Sequence, residues 1–560
     1  MSNKQIQAFK DALQNKLDKT SLVPSELICK NFTNPRDPRQ PWSFKDHEFQ
    51  IDITDVPFSK REMACRKPGQ VGLSTIQVRI ILMFVAVNDN TKGVYTLPTA
   101  AFSREFVTSR VDTAIESSPM VSALVSNDAD NTSMKRIGNS FLLFRGTSGT
   151  TAAISQDLDL IISDEVDFSD QTVLGSFESR LQHSDLKLRR DFSTPTLPGY
   201  GISAKFDDSS QAYRLVRHDH CGKWVELDFY NDIIIPGFDK AIAEFRSEHL
   251  FQVDVGQAWY RCSHCGHAIT ESNLADPIKR QWVHKFPDHY RVGFQVAPWD
   301  VPRYNPLHDI LSSIRKYTYA DFINFRIGLP FESAENSFML SVIQRNSVVD
   351  NKSLKELMLG GYYGLYIGVD LGKVAHVVVG AASPTGLDVL CAEQVNVAHL
   401  QDNHLGKFLV MLYRSVRGNK MVSDAMPDYT VAMYISSMGC GFGAEYKSNP
   451  TLDIYHWDED KGVVKIDRDG HFDDLASAVN SGRVKFPKEC SLMSSHLSVM
   501  KKAKVETAKG MTEKWTSTSS EDHFAHALGY CWAAYASVNE RFGGSRLLLP
   551  PSVGKVRLKT

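Results

Sequence analysis

Arg66-Lys67-Pro68-Gly69-Gln70-Val71-Gly72-Leu73-Ser74-Thr75 is the stretch whose reading decides the fold. Gly69 and Gly72 permit a tight turn, and the hydroxyls of Ser74 and Thr75 close it just before an apolar run, Ile76 to Val87, that predicts a helix. A turn of this kind places backbone N–H groups at a helix N-terminus, where anions are favoured. The usual phosphate-loop spacing is G-x-x-x-x-G-K-[ST], with lysine directly before the hydroxyl. Here Leu73 holds that place, and the lysine opens the loop at Lys67. On this reading Arg66, Lys67, Gly69, Gln70, Gly72, Leu73, Ser74 and Thr75 surround a phosphate, and Ser74 holds Mg²⁺. The competing reading is a Gly-rich turn ahead of a buried helix.

The companion stretch is Leu158-Asp159-Leu160-Ile161-Ile162-Ser163-Asp164-Glu165. A buried apolar strand delivers two carboxylates at its C-terminal end, where ligands bind in open α/β sheets. Asp164 is the expected Mg²⁺ ligand, and Glu165 the group that orients and deprotonates the attacking water. Strand-like runs alternate with helix-like runs around these motifs, as at 93–99, 101–115 and 139–146, which implies a mainly parallel sheet. Further on, Ser193-Thr194-Pro195-Thr196 forms a hydroxyl-rich strand end that can sense a terminal phosphate. The Pro- and aromatic-rich stretch from Asn31 to Phe49 is either a surface connection or a segment packing over a base.

A length of 560 residues exceeds one core, so several domains are expected. The net charge of −2 excludes a basic whole-protein field, so nucleic-acid contact has to use local patches. The polar start, Met1 to Lys19, does not read as a signal peptide. No uncharged apolar run reaches membrane-spanning length, so no membrane partner is expected. Of nine cysteines only Cys262 and Cys265 form a C-x-x-C, which fits a reducing compartment and one metal site. With His218 and Cys221 they offer two tight ligand turns for a tetrahedral Zn²⁺. His220, His264 and His267 compete for the same role.

After residue 345 the composition thins, and 346–360 is the expected linker. The stretch Tyr363-Gly364-Leu365-Tyr366-Ile367-Gly368-Val369-Asp370-Leu371-Gly372 then delivers an acid, Asp370, with Ala375 to Ala381 as its antiparallel hairpin partner. Lys420 to Asp424 delivers a second acid, and Asp522 opens an apolar helix with a third. Three carboxylates on two strand ends and one helix start suit a two-metal phosphodiester site.

The order of these parts resembles the large subunit of tailed-phage terminases, in the branch with a zinc knuckle between ATPase and nuclease. Lys67, Gly72 and Ser74 match a variant phosphate loop of that branch, K-x-x-x-x-G-x-S. Asp164-Glu165 and Ser193-Thr194-Pro195 match its second and coupling motifs, and Phe322 to Pro330 its helix-then-G-L-P segment. Two positions depart from the pattern. His218 stands where Cys is common, and His526 replaces the later acid of D-H-x-x-D-A-L. The third nuclease ligand is therefore open between Asp522, His523 and His526.

The resemblance implies an α/β architecture. An N-terminal helical segment (1–30) precedes a P-loop ATPase domain (31–345) carrying a zinc ribbon (213–270). The linker leads to a ribonuclease-H-like nuclease domain (361–544) and a basic tail (545–560). It implies ATP-driven translocation of double-stranded DNA into a procapsid and cutting of concatemers. Lys67 and Glu165 would be catalytic in the ATPase, and Asp370, Asp424 and Asp522 in the nuclease. The cofactors implied are ATP, Mg²⁺ or Mn²⁺, and Zn²⁺. The partners implied are a portal, a small terminase subunit and copies of the chain in a ring, in the host cytoplasm. Arg104, Arg110 and Arg145 are candidates for an arginine finger. The alternative is a metal-dependent nuclease or resolvase with an inactive nucleotide fold.

Overall fold

The computed structural model describes residues 24–35, 37–148, 157–426, 429–447, 453–507 and 510–539. The expected N-terminal helical segment lies mostly outside the described residues, and the basic tail wholly so. Two compact units divide the chain.

The first unit comprises 1–331 with 504–512. Its strands, in chain order, are β1 (Glu62–Arg66), β2 (Lys92–Leu97), β3 (Val125–Asn131), β4 (Met134–Ile137), β5 (Ser140–Gly146), β6 (Leu160–Asp164), β7 (Leu188–Ser193), β8 (Ala212–Arg217) and β9 (Trp224–Val225). Three short strands follow, β10 (Ile233–Ile234), β11 (Trp259–Arg261) and β12 (Ala268–Ile269), then β13 (Arg280–His284) and β14 (Arg291–Gln295). An 11-stranded sheet runs β9-β8-β14-β1-β7-β6-β2-β5-β4-β3, with β13 beside β8. From β8 to β5 every neighbouring pair is parallel. Strands β1, β2, β6 and β7 are buried on both faces, as a covered parallel sheet requires, and β7 is so although it carries Arg189, Arg190 and Asp191. Helix α1 (Leu73–Val87) is buried nearly all round and forms the centre of the core.

Register gathers the motifs at one edge. Strand β7 lies between β1 and β6, with Ser193 opposite Arg66 and Phe192 opposite Asp164. The phosphate-like loop, the acid pair and the hydroxyl-rich loop thus leave the sheet side by side. Trp42, from the aromatic stretch, is occupied: the Arg79 guanidinium of α1 lies 4.1 Å from its ring centre.

The second unit comprises 332–503 with 513–560. Its strands are β15 (Ser347–Val349), β16 (Tyr366–Asp370), β17 (Val374–Ser383), β18 (Gly386–Asn396), β19 (Lys420–Asp424), β20 (Phe442–Lys447), β21 (Tyr455–Asp458), β22 (Val463–Asp467) and β23 (Val484–Pro487). They form one nine-stranded sheet, β15-β23-β18-β17-β16-β19-β20-β22-β21. Strands β16, β17 and β18 make an antiparallel meander, and β19 joins β16 in parallel. Helix α2 (Ser491–Ser498) lies against the apolar helix α3 (His523–Asn539), which packs on this sheet.

The segment expected to be a linker is ordered structure. Ser347–Val349 pairs with β23, and Ser353 caps the helix Leu354–Leu359 in a reciprocal capping box with Glu356. The unit boundary falls instead at 331/332. Low local apolar content misled the reading, because this short strand is held by a partner far along the chain.

Candidate functional site

The loop after β1 is built by its neighbours. Lys67 N–H donates to Ser193 O at 3.1 Å, and Gly69 N–H to Phe325 O at 2.7 Å. Gln50 Nε2 donates to Val71 O at 2.8 Å. Gly72 takes φ +79 as the residue before α1, a conformation glycine adopts without strain. The first N–H groups of α1, from Leu73 on, are then free of helical partners. The Leu73 side chain is buried in the core and contributes only its backbone. Gly328, at φ +80, packs so closely on the loop that a Cβ there would fall 2.6 Å from Pro68 N. This explains why the 319–330 segment ends in Gly-Leu-Pro.

Lys67, 4% exposed, points its Nζ at Glu165 Oε1, 3.1 Å away. Burial alone would lower its pKa, but Glu165 and Asp164 outweigh burial and raise it, so Lys67 stays charged. Asp164 is buried at the end of β6, where its Oδ2 accepts from Tyr95 OH at 2.8 Å. Glu165 occupies the left-handed region at φ 52, a conformation that is costly for a non-glycine residue and often tied to function. Lys67, Gln70, Gly72, Ser74, Arg110, Glu165 and Thr194 line a cavity of about 470 Å³. Of the arginine-finger candidates, Arg110 reaches this loop within the same chain, donating to Thr75 Oγ1 at 3.1 Å. Arg145 is spent on the Ser133 and Phe144 carbonyls.

Arg66 does not join this set. The alternation of β1 sends it to the opposite sheet face from Cys65, where it pairs with Gln295 and lies 4.3 Å over the Phe206 ring. It is withdrawn as a phosphate ligand.

The His218, Cys221, Cys262 and Cys265 ligand atoms lie within 4.8 Å of one another. His218 Nδ1 is 3.5 Å from Cys221 Sγ and 3.4 Å from Cys265 Sγ, and Cys221 Sγ is 3.8 Å from Cys262 Sγ. His218 Nε2 lies 3.1 Å from Ala268 O, which fixes the proton there and leaves Nδ1 free. Strands β10, β11 and β12 form the small antiparallel sheet that carries the second turn. His220, Cys265 and His267 make a second, more exposed grouping.

In the second unit Asp370 and Asp424 end neighbouring parallel strands, with Val369 opposite Ser423. Burial pushes the Asp370 carboxyl up to about 6 and raises that of Asp424. His526, held 3.0 Å from Tyr446 OH, acts electrostatically on both. Asp522 is tied to His526, with Oδ2 3.6 Å from Nε2. Burial raises the Asp522 carboxyl, but His526 outweighs it and the net shift is downward. The metal-competent grouping around Asp370 contains His376 and His523 and includes neither Asp424 nor Asp522. His523 Nδ1 sits 2.9 Å from Asp370 Oδ2. Of the three candidates for the third ligand, His523 stands beside Asp370 and Asp522 turns to His526, while Asp424 ends the neighbouring strand.

Residues 38–281 match the family model described as phage terminase large subunit gpA, ATPase domain. Across both units the fold is similar to that of the HK97 bacteriophage large terminase, at TM-score 0.50 and 13% identity, covering 91% of this chain and 98% of that one. Residues 38–281 are thus similar to the ATPase domain of phage terminase large subunits. The large terminase of a thermophilic bacteriophage aligns with 88% of this chain and 98% of its own at 11% identity, with a TM-score of 0.32. No curated protein matches the sequence.

The matched region spans the loop at Lys67, the acid pair, the hydroxyl-rich loop and all four Cys/His residues. Two buried polar residues beside these motifs escaped the sequence reading. Asp167 is wholly buried behind the acid pair and accepts from Thr196 N–H (2.7 Å), Thr196 Oγ1–H (2.8 Å) and Ile202 N–H (2.7 Å). His376 lies on β17 directly opposite Asp370. The signal for it was available: pairing the two strands as a hairpin puts a histidine beside the first acid.

Proposed function

We propose that this chain is an ATP-driven DNA-packaging motor that also cuts the DNA it packages. The observation that carries the ATPase half is the Lys67–Glu165 contact at the mouth of a cavity closed by the N-terminus of α1. Without nucleotide the two charges satisfy each other. A terminal phosphate entering the cavity competes for Lys67, which then stabilises transferring phosphoryl charge and frees Glu165 to orient water. Ser74 and Asp164 are the residues that would hold Mg²⁺, which would supply positive charge against the phosphates. Asp167 joins the acid loop to Thr196, and Asn324 Nδ2 bonds Thr196 O at 2.7 Å. A change at the phosphate therefore has a hydrogen-bonded route to the hydroxyl-rich loop.

The second unit supplies endonuclease activity on double-stranded DNA, with Asp370 and Asp424 as carboxylates for a divalent cation that polarises the phosphodiester. The portal, a small terminase subunit and further copies of the chain in a ring on the procapsid vertex complete the machine in the host cytoplasm. Among the described residues no helix is long and apolar enough to cross a membrane.

The Cys/His cluster holds structural Zn²⁺. Tetrahedral bonds of about 2.3 Å to sulfur and about 2.0–2.1 Å to nitrogen require S···S near ~3.8 Å and S···N near ~3.5 Å. The separations of 3.8, 3.5 and 3.4 Å fit that cage.

The test is packaging of duplex DNA into procapsids, scored as nuclease-protected DNA, beside cleavage of circular DNA. Glu165→Gln should abolish protection and spare cleavage, whereas Asp370→Asn should abolish cleavage and spare packaging of pre-cut linear DNA. Loss of both activities in each variant would overturn the two-site reading.

A further inference from the structure

His376 is 4% exposed, and its Nδ1 has no hydrogen-bond partner. A buried ring nitrogen left unpaired is costly and calls for an explanation. Its surroundings provide one. Residues directly opposite on antiparallel strands share a face, about 4.5–5.5 Å apart at Cβ. Asp370 on β16 and Gln394 on β18 flank His376 on β17 in this way, giving a polar row across an apolar meander. Gln394 Nε2 lies 3.0 Å from His376 Nε2. A half-turn of that amide exchanges its nitrogen and oxygen, and with the oxygen toward the ring Nε2 carries the proton and Nδ1 presents its lone pair. This is the arrangement in which a carbonyl fixes a metal-ligating histidine. From α3, the His523 ring stacks on His376 at 4.6 Å between centres, while its Nδ1 contacts Asp370. Asp370, His376 and His523 each bring one ligand atom within 4.8 Å of the others.

We infer that Asp370, His376 and His523 form a two-imidazole, one-carboxylate cation site. Oxygen-only sites suit Mg²⁺, whereas imidazole favours transition-metal dications. The cation taken here is therefore of the Mn²⁺, Fe²⁺ or Zn²⁺ class, and Mg²⁺ is a poor substitute. Three protein ligands leave positions open for water and a phosphate oxygen. Gln394 is a positioning residue that acts through His376. The inference deepens the nuclease reading through the shared Asp370, but ligation is tested separately from cutting.

The test uses the full chain with Mn²⁺ and no nucleotide. Free Mn²⁺ is followed by its electron paramagnetic resonance signal, and bound Mn²⁺ by electron spin echo modulation from ligand ¹⁴N. The wild type should bind Mn²⁺ with ¹⁴N modulation that excess Mg²⁺ does not displace. His376→Ala and, independently, the half-buried His523→Ala should each weaken binding at least about tenfold and reduce the modulation. Bound Mn²⁺ without ¹⁴N modulation, or unchanged affinity in both folded variants, or no Mn²⁺ bound, would overturn the inference. If the modulation is present but DNA is not cut with Mn²⁺, the nuclease reading falls and the site stands. If DNA is cut and no nitrogen ligates, the reverse holds.

Discussion

Replacing Asp167 by alanine removes one carboxylate and strands three donors. Thr196 N–H and Oγ1–H share its Oδ2, Ile202 N–H uses its Oδ1, and the residue is fully buried. Thr196 and Ile202 are themselves buried, so each orphan costs about 1–3 kcal/mol. The hydroxyl can rotate toward another acceptor, but the two amides cannot. The expected loss is therefore roughly 2–6 kcal/mol, a large fraction of the about 5–15 kcal/mol that holds a domain together. Against a urea dependence of about 1–3 kcal/mol per M, the first unfolding midpoint should fall by about 2 M. Ser193→Ala, which removes one hydroxyl acceptor from Asp167 N–H at 3.1 Å, is the control and should cost only about 1 kcal/mol. Urea unfolding of the full chain, followed by far-UV circular dichroism, reads both. An Asp167→Ala midpoint within about 0.3 M of wild type would refute the claim that this carboxylate ties the acid loop to the Thr196 loop.

Burial pushes the Asp167 carboxyl up to about 7, well above its ordinary value of 3.8. Its favourable contribution is then full below pH 3.8 and is lost as pH rises through 7. The stability of wild type relative to Asp167→Asn should fall across that window, as pH-dependent urea midpoints would show. Gly328→Ala places a Cβ 2.6 Å from Pro68 N at φ +80, so it should weaken ATP binding at least several-fold with little change in the second unit; isothermal titration checks the affinity. Cys262→Ser should eliminate the zinc proposed for the Cys/His cluster, measured by elemental analysis, and lower the first thermal transition, because structural zinc binding is folding energy. Zinc retained in that variant would assign the metal elsewhere.

The parts legible in the sequence are those whose chemistry sits at strand ends. An apolar run followed by Asp164-Glu165, or by Asp370, announces a buried strand and what it delivers, and the parallel register then sets the deliveries side by side. The displaced lysine was legible as well, since Lys67 reaches the acid pair from the front of the loop while Leu73 goes into the core. What the sequence concealed depends on faces and distant partners. Arg66 directly precedes Lys67, yet one residue of strand alternation sends it to the other side of the sheet. Residues 347–349 look like linker because their partner strand lies at 484–487. The Ser353–Glu356 capping box beside them was readable, and it argued for a helix. Asp522 looks like the third acid from its position before an apolar helix. Packing of α3 turns it to His526 and presents His523 to Asp370 instead.

DNA-stimulated ATP hydrolysis by purified protein tests the central claim most directly. The account predicts hydrolysis by the wild type that falls by about 10²–10³-fold in Lys67→Ala, the cost of one charged donor to a transition-state oxyanion. Arg66→Ala, by contrast, should retain turnover in whatever fraction remains folded. Undiminished hydrolysis in Lys67→Ala would contradict the account, because the loop at 66–75 would then not be the place where the phosphate is held.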